Sequence, residues 1–444
     1  MKFTTKNPQK TLHLVSLGCT KNLVDSEVML SRLKEYKLID DATSADVIIV
    51  NTCGFIESAK QESINTVLDI DDNRKEESVL VMAGCLSERY KEELQKELIE
   101  VDIFTGVGDY DKIDVLVNEK RSNFTEAVFL QTDENERVIS GSTYHAYIKL
   151  SEGCNQSCSF CAIPSFKGKL FSRTLPSLVK EVQNLIKRGY FDFTFVSQDS
   201  SSYLRDHGEK NGLEQLISEV DKIEGVKSAK ILYLYPSTTS LDLVAKIKNS
   251  PKFVNYFDMP LQHISASMLK TMKRGKGVEK LHELMNSMRD VPNSFVRTTF
   301  IVGHPGESQE DFEELCNYIT DFKFDRANVF SYSDEEGTSA FNKIDKVPQE
   351  IIDQRAEILG DLISKTTQSS LENAVGKTFE IVVDGESDEH EYLLSARKLL
   401  WAPDIDGEIY INDNEIEGQI KFGQVYTAKI TELAGDKLLG TIIQ

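Results

Sequence analysis

The chain has 444 residues, 72 of them Asp or Glu and 51 Lys or Arg, for a formal net charge of −21. That balance excludes a protein that grips phosphate backbones with its whole surface, because such binding draws its affinity from neutralised phosphates. No run approaches the roughly 20 apolar residues that span a bilayer, the first ten residues lack the apolar core of a secretory leader, and the seven cysteines are clustered rather than spread as a disulfide framework. The expectation is a cytoplasmic protein of two or three domains with no membrane partner.

Residues 9–122 read as alternating strands and helices, the signature of an open α/β sheet. Strands are expected over 12–17, 47–50 and 78–83, and helices over 25–36 and 88–99. Cys19, Cys53 and Cys85 fall one to three residues beyond the strand ends. In open parallel sheets the loops beyond the carboxyl ends converge on one crevice. Each cysteine alone is read most simply as core; three at one edge suggest thiolate ligands of a 4Fe-4S cluster with an open iron.

Residues 122–143 are polar and are expected to connect two domains. The stretch that follows carries Cys154, Cys158 and Cys161, three thiols within eight residues. Such a loop can aim three thiolates at three irons of a cubane and leave the fourth iron without a protein ligand. Zinc is the rival reading, but closed structural zinc sites take four Cys or His ligands, and no fourth follows before His207.

From residue 140 to 372 the βα alternation resumes. Strands are expected over 145–150, 193–196, 230–235, 256–259, 294–302 and 327–330, separated by helices over 177–188, 213–223, 241–248, 265–272 and 309–322. Six units predict an incomplete (β/α)6 barrel with its chemistry at the C-terminal strand ends. Polar groups at those ends include Gln198, His263, Arg297 and Gly303, where glycine would let backbone approach a cofactor. Cys316, on a helix with apolar Phe312 and Leu315, reads as core.

Residues 348–372 predict an exit helix, and residues 375–444 predict five short strands in a small all-β barrel of OB type. From Gly376 onward this module holds 14 acidic against six basic residues, a balance of −8. A surface of that sign suits a basic partner and disfavours RNA.

The 154–161 spacing, with Phe160 before the third cysteine and Gly153-Cys154-Asn155 opening the loop, resembles the radical S-adenosylmethionine (AdoMet) superfamily. The resemblance implies that Cys154, Cys158 and Cys161 hold a 4Fe-4S cluster whose open iron chelates AdoMet, and that Phe160 lines the AdoMet site. Gly-Cys-Thr-Lys-Asn at 18–22, Asn-Thr-Cys-Gly-Phe at 51–55 and Ala-Gly-Cys at 83–85 narrow it to the methylthiotransferases. In that family a second, auxiliary 4Fe-4S cluster holds or passes on the inserted sulfur; here its ligands would be Cys19, Cys53 and Cys85. Gln198, Arg297 and Gly303 match positions that line the AdoMet and substrate cavity, and His304 stands where the family more often has Phe. The C-terminal barrel matches the family's TRAM module.

Ile-Pro-Ser-Phe-Lys-Gly-Lys-Leu-Phe-Ser-Arg at 163–173, Glu-Glu-Gly-Thr at 335–338 and Trp-Ala-Pro-Asp-Ile-Asp-Gly at 401–407 resemble the branch that modifies an aspartate of small-ribosomal-subunit protein twelve. The implied reaction inserts a methylthio group at the aspartate β-carbon, using two 4Fe-4S clusters and AdoMet. It needs an electron donor such as a flavodoxin or ferredoxin, and a sulfur donor. No catalytic side chain beyond the cluster ligands is implied. The alternative within the family is a tRNA methylthiotransferase acting on a modified adenosine, which the acidic module opposes.

Overall fold

The computed structural model describes residues 9–275 and 277–444; residues 1–8, most of the stretch read for a leader, lie outside the described residues. The N-terminal sheet is built from β1 (Thr11–Ser16), β2 (Lys37–Leu38), β3 (Val47–Thr52), β4 (Val79–Gly84) and β5 (Ile103–Phe104), all parallel, in the order β2-β1-β3-β4-β5. The middle strands β3 and β4 are buried along their whole length, so their apolar runs were legible without alternation. The order reverses between β1 and β3, which opens a crevice at their carboxyl ends.

The helices depart from expectation, and the one over Glu57–Asn73 was not among those expected at all. The first runs over Thr20–Arg32, five residues earlier than its apolar pattern suggests, because Lys21, Asn22, Asp25, Ser26 and Glu27 are buried against other parts of the chain rather than facing water. A polar residue with a buried partner looks like a surface residue in a hydrophobic pattern. The helix expected over 88–99 is two pieces, Cys85–Arg89 and Lys91–Glu97. The connector after the sheet is strapped down: the buried Arg137 guanidinium donates to Glu27 Oε2 at 2.9 Å and to the Tyr147 carbonyl at 2.8 Å.

The central domain holds β6 (His145–Lys149), a short antiparallel pair β7 (Ser151–Glu152) and β8 (Phe171–Ser172), then β9 (Asp192–Val196), β10 (Ser228–Ile231), β11 (Tyr256–Asp258), β12 (Phe295–Val302) and β13 (Arg326–Ser331). The six longer-range strands form two parallel triplets, β6-β9-β10 and β11-β12-β13. Leu234 N–H to the Asp258 carbonyl (2.8 Å) and Val254 N–H to Ala229 (2.9 Å) join them into one open arc. Alternation sorts the side chains: Ile148, Phe193, Phe195 and Ile231 pack outward on the helices, and Tyr147, Val196, Leu232, Tyr256 and Phe295 face the lumen. The outer layer includes a helix over Val278–Arg289 that is absent from the expected elements.

A long helix, Gln349–Glu372, leads to the C-terminal closed barrel of β14 (Thr378–Glu386), β15 (Leu394–Lys398), β16 (Ile409–Asn414), β17 (Val425–Ala434) and β18 (Lys437–Ile442). It sits under the N-terminal ends of the central strands. Arg397 pairs with Asp192 at 2.6 Å, Ser228 Oγ donates to the Leu399 carbonyl at 3.3 Å, and Arg326 Nε donates to the Asp406 carbonyl at 2.7 Å. The loop 401–407 therefore plugs the lumen from below, with Trp401 buried beside Phe295 and the Tyr147 hydroxyl donating to the Pro403 carbonyl at 2.9 Å. The opposite face, at the C-terminal strand ends, is left for the cysteines.

Candidate active site

Cys19 caps the helix after β1, Cys53 follows β3, and Cys85 opens the helix after β4. Gly18 has φ +84°, and a Cβ there would lie 2.6 Å from Cys53 Cβ, so only glycine lets these two loops meet. Asn22 ties all three strand ends together. Its Nδ2 donates to the Leu17 and Thr52 carbonyls (3.1 and 3.0 Å), and its Oδ1 accepts from Cys85 Sγ at 3.6 Å. Asn22 lies inside the Gly-Cys-Thr-Lys-Asn motif, yet its role needs the β1/β3 adjacency to be seen.

The second trio is local. Gly153, at φ +72°, packs where a Cβ would meet the Lys169 carbonyl at 2.1 Å, and Cys154 N–H donates to the Gly168 carbonyl at 3.1 Å. Gln156 Nε2 donates to Asp199 at 2.8 Å, and Ser159 Oγ hydrogen-bonds His304 Nε2 at 2.8 Å. Cys158 Sγ lies 3.6 Å from the Tyr235 hydroxyl and 3.4 Å from Arg274 Nη1. Sequence reasoning did not single out Arg274, whose guanidinium lies 4.4 Å from the centroid of the Tyr235 ring.

Burial pushes the thiol of Cys53 up to about 11 and those of Cys85, Cys154 and Cys161 up to about 12. Nucleophilic cysteines are tuned the other way. These thiols become thiolates only if metal displaces their protons, which fits iron ligation. Among the described residues no three His, Cys, Asp or Glu side chains converge on a single-ion site. Among the described residues no fourth His, Cys, Asp or Glu joins either trio into a metal-binding group, an arrangement compatible with a cubane that keeps one iron open.

Buried charges join the two trios. Lys149 Nζ lies 2.5 Å from both Asp25, on the helix that starts at Cys19, and Glu152, two residues before Cys154. Lys167 adds contacts to the same carboxylates at 3.5 and 3.3 Å. Burial alone would raise the Glu152 carboxyl, but Lys149 and Lys167 outweigh it and hold the group down to about 2. At the mouth, the buried Glu335 carboxylate takes Arg89 Nη1 at 2.6 Å and Lys60 Nζ at 3.1 Å. Arg89 and Lys60 lie on the helices that follow Cys85 and Cys53. The Glu-Glu-Gly-Thr motif is thus a clamp between domains.

The four side chains expected around AdoMet lie as follows. Phe160 is buried among Met268, Met272 and Tyr332 beside Cys158 and Cys161. Gln198 donates to Glu152 Oε2 at 2.7 Å, and its buried Oε1 has no partner among the described residues. Arg297 bonds Asp258 at 3.0 Å and lies 3.6 Å from Asp406 of the plug loop. Gly303 gives its N–H to Glu307 at 2.7 Å, and a Cβ there would strike Ile352 at 2.3 Å. His304 is buried against Phe160 and Tyr332, and Cys316 packs on the central core.

Residues 11–106 match the family described as "Uncharacterized protein family UPF0004", residues 148–319 the Radical SAM superfamily, and residues 375–443 the TRAM domain. Over its whole length the chain is 75% identical to the "Ribosomal protein uS12 methylthiotransferase RimO" of Aliarcobacter butzleri (strain RM4018), with 100% of both chains covered. The chain belongs to the RimO family. RimO proteins of Sulfurimonas denitrificans (strain ATCC 33889 / DSM 1251) and Campylobacter jejuni subsp. jejuni serotype O:23/36 (strain 81-176) are 64% and 54% identical, covering 97% and 98% of this chain and 98% of each relative. Among solved structures, the radical S-adenosylmethionine methyltransferase TsrM from Kitasatospora setae superposes with a TM-score of 0.54 at 14% identity, covering 72% of each chain, a likeness of fold alone. RimO-family membership makes this chain a methylthiotransferase, and its radical AdoMet domain implies a 4Fe-4S cluster and AdoMet. No described helix is long and apolar enough to cross a membrane.

Proposed function

We propose that this enzyme inserts a methylthio group at the β-carbon of an aspartate in ribosomal protein uS12, using two 4Fe-4S clusters. The observation that carries the reading is the full-length likeness to RimO proteins in a chain whose two cysteine trios are bridged by one buried charge network. Cys154, Cys158 and Cys161 would hold the cluster that takes AdoMet, and Cys19, Cys53 and Cys85 the auxiliary cluster. Bound there, the cofactors supply the one-electron cleavage and sulfur chemistry that no side chain provides.

The chain's own residues orient and enclose. Phe160 and the free Oε1 of Gln198 are the side chains best placed for AdoMet. Arg297 sets the floor through Asp258 and Asp406, and Gly303 shapes a turn behind Ile352. Lys149, Asp25 and Glu152 fix the separation of the trios, because positional precision governs a reaction between two bound partners. The exposed acids of the C-terminal barrel would steer the basic substrate protein. A reductant such as a flavodoxin or ferredoxin and a sulfur donor complete the reading.

The test is mass spectrometry of ribosomal proteins and tRNA from cells with and without the gene. A mass gain of one methylthio group on a uS12 aspartate that disappears with the gene is expected. Loss of a methylthio adenosine from tRNA with uS12 unchanged would replace this reading with the tRNA alternative.

A further inference from the structure

Lys21 is 9% exposed, and its Nζ makes no ion pair or hydrogen bond among the described residues. It rests only on the face of Tyr233, 3.6 Å from the ring centroid. Other cations around the site are satisfied differently: Lys149, Lys167 and Arg297 sit on carboxylates. The two carboxylates nearest in kind are already engaged. Glu152 is held by Lys149, Lys167 and Gln198, and Asp258 by Arg297 and the Tyr233 N–H. Although burial disfavours the charge, Tyr233, Cys19, Glu152 and Asp258 together hold the ammonium protonated without bonding to it, so its donors are left for a carboxylate that a ligand brings.

Its position says which ligand. Lys21 lies two residues past Cys19, in the first turn of the helix that carries Asp25. Tyr233 lies just past β10, on the face of the arc where the Cys154–Cys161 loop sits, and adopts φ +61°, a left-handed conformation that is strained for tyrosine. The Tyr233 N–H bond to Asp258, 2.9 Å, pins that conformation. The ring is therefore a fixed platform for an ammonium whose neighbours are Cys19 of one trio and Glu152, two residues before Cys154 of the other.

We propose that Lys21 receives the side-chain carboxylate of the substrate aspartate and so selects aspartate over asparagine. The proposal rests on the peptidyl-aspartate reading above, in which that carboxylate is one bond from the carbon that gains sulfur. A compact ammonium suits one carboxylate approached from one side. Neutral asparagine would leave the charge uncompensated.

The test is a cycle between enzyme and substrate variants. Holoenzyme carrying both clusters is compared as wild type, Lys21→Gln, Lys21→Met and Lys21→Arg. Each is given recombinant uS12 with its target aspartate, located by mass spectrometry, or with asparagine in its place. Wild type should prefer aspartate roughly thirtyfold or more in kcat/KM, as expected for truncating one side of a buried charge pair. In Lys21→Gln and Lys21→Met that preference should collapse to near unity, and Lys21→Arg should keep part of it. Equilibrium binding of fluorescent uS12, measured without turnover, should follow the same order. An unchanged aspartate preference in Lys21→Gln would overturn the proposal, as would a wild type with no preference. Loss of half the iron in both Lys21→Gln and Lys21→Met would also overturn it, by assigning Lys21 to holding the Cys19 site. A wild type that modifies tRNA and neither form of uS12 would instead bring down the functional reading itself.

Discussion

The two cysteine trios do the same kind of work by opposite routes. Cys154, Cys158 and Cys161 lie within one loop, whose turn comes from Gly153 and the Cys154 N–H bond to Gly168, with distant Asp199, Met272 and His304 bracing it from outside. Cys19, Cys53 and Cys85 come from three strand ends, brought together by the parallel sheet and by links between distant residues such as Asn22 and the Arg89 bond to the Gly54 carbonyl. A local site depends on its own loop; a distributed one inherits every weakness of the domain beneath it.

The largest effect should come from the ligands. Anaerobically reconstituted enzyme should bind about eight irons, and replacing either trio by Ala should leave about four. Only loss of the 154–161 trio should abolish AdoMet cleavage. Full iron in the Cys19/Cys53/Cys85 triple variant would break the comparison at once.

Asn22→Ala sharpens it. This residue is not a ligand, yet removing it loosens the loops that leave β1 and β3 and takes a donor from the buried Thr52 carbonyl and the half-buried Leu17 carbonyl, at about 1–3 kcal/mol for a buried group left unpaired. The variant should lose iron from the distributed site and keep the local one, as read by iron analysis and by electron paramagnetic resonance of the reduced protein. Equal loss from both sites would show that the trios are not independent.

Glu335→Gln tests the clamp that holds the distributed trio over the local one. Breaking a buried pair by removing one partner costs about 3–5 kcal/mol, so the thermal midpoint should fall clearly. A midpoint within a degree or so of wild type would show that Arg89 and Lys60 find other partners.

His304 supports the local loop through Ser159, and burial pushes its imidazole down to about 4 from an ordinary value of 6.5. The unfolded chain therefore takes up a proton below pH 6.5 that the folded chain refuses. Stability is full above that pH and is lost as pH falls towards 4, by at most about 3 kcal/mol. In His304→Phe this slope should vanish from a series of thermal midpoints between pH 7 and 4.5. A slope that persists would point to other groups.

The smallest effect lies outside both trios. Of the acids in the C-terminal barrel, Asp406 is buried under Arg297, and Glu408 pairs with Lys437 at 3.0 Å, so neither belongs to a docking surface. Asp404, Asp413, Glu415 and Glu417 are exposed. Changing these four to Asn or Gln should slow association with uS12 several-fold at low salt. The effect should shrink near physiological ionic strength, where the Debye length is about 8 Å. A salt-independent defect would mean that they act by contact rather than by steering.

The sequence by itself determined the six candidate ligands, the three-layer order of sheet, open barrel and closed barrel, and the family, because thiol spacing and buried strand runs are written locally. It misplaced the start of the Thr20–Arg32 helix, read one helix over 88–99 where there are two pieces, and missed the helices at Glu57–Asn73 and Val278–Arg289. It also counted Asp406 as part of an acidic surface. Those errors share a cause: Asp25, Glu27, Arg137, Glu335 and Asp406 look like solvent residues until partners distant in the chain bury them. Only the tertiary structure decided that Arg297 answers to the plug loop, that Gly303 yields to Ile352, and that Lys21 is enclosed with no bonded anion among the described residues. Such pairings are set by which strand ends and domain faces meet, and a linear pattern of apolar residues carries no record of that.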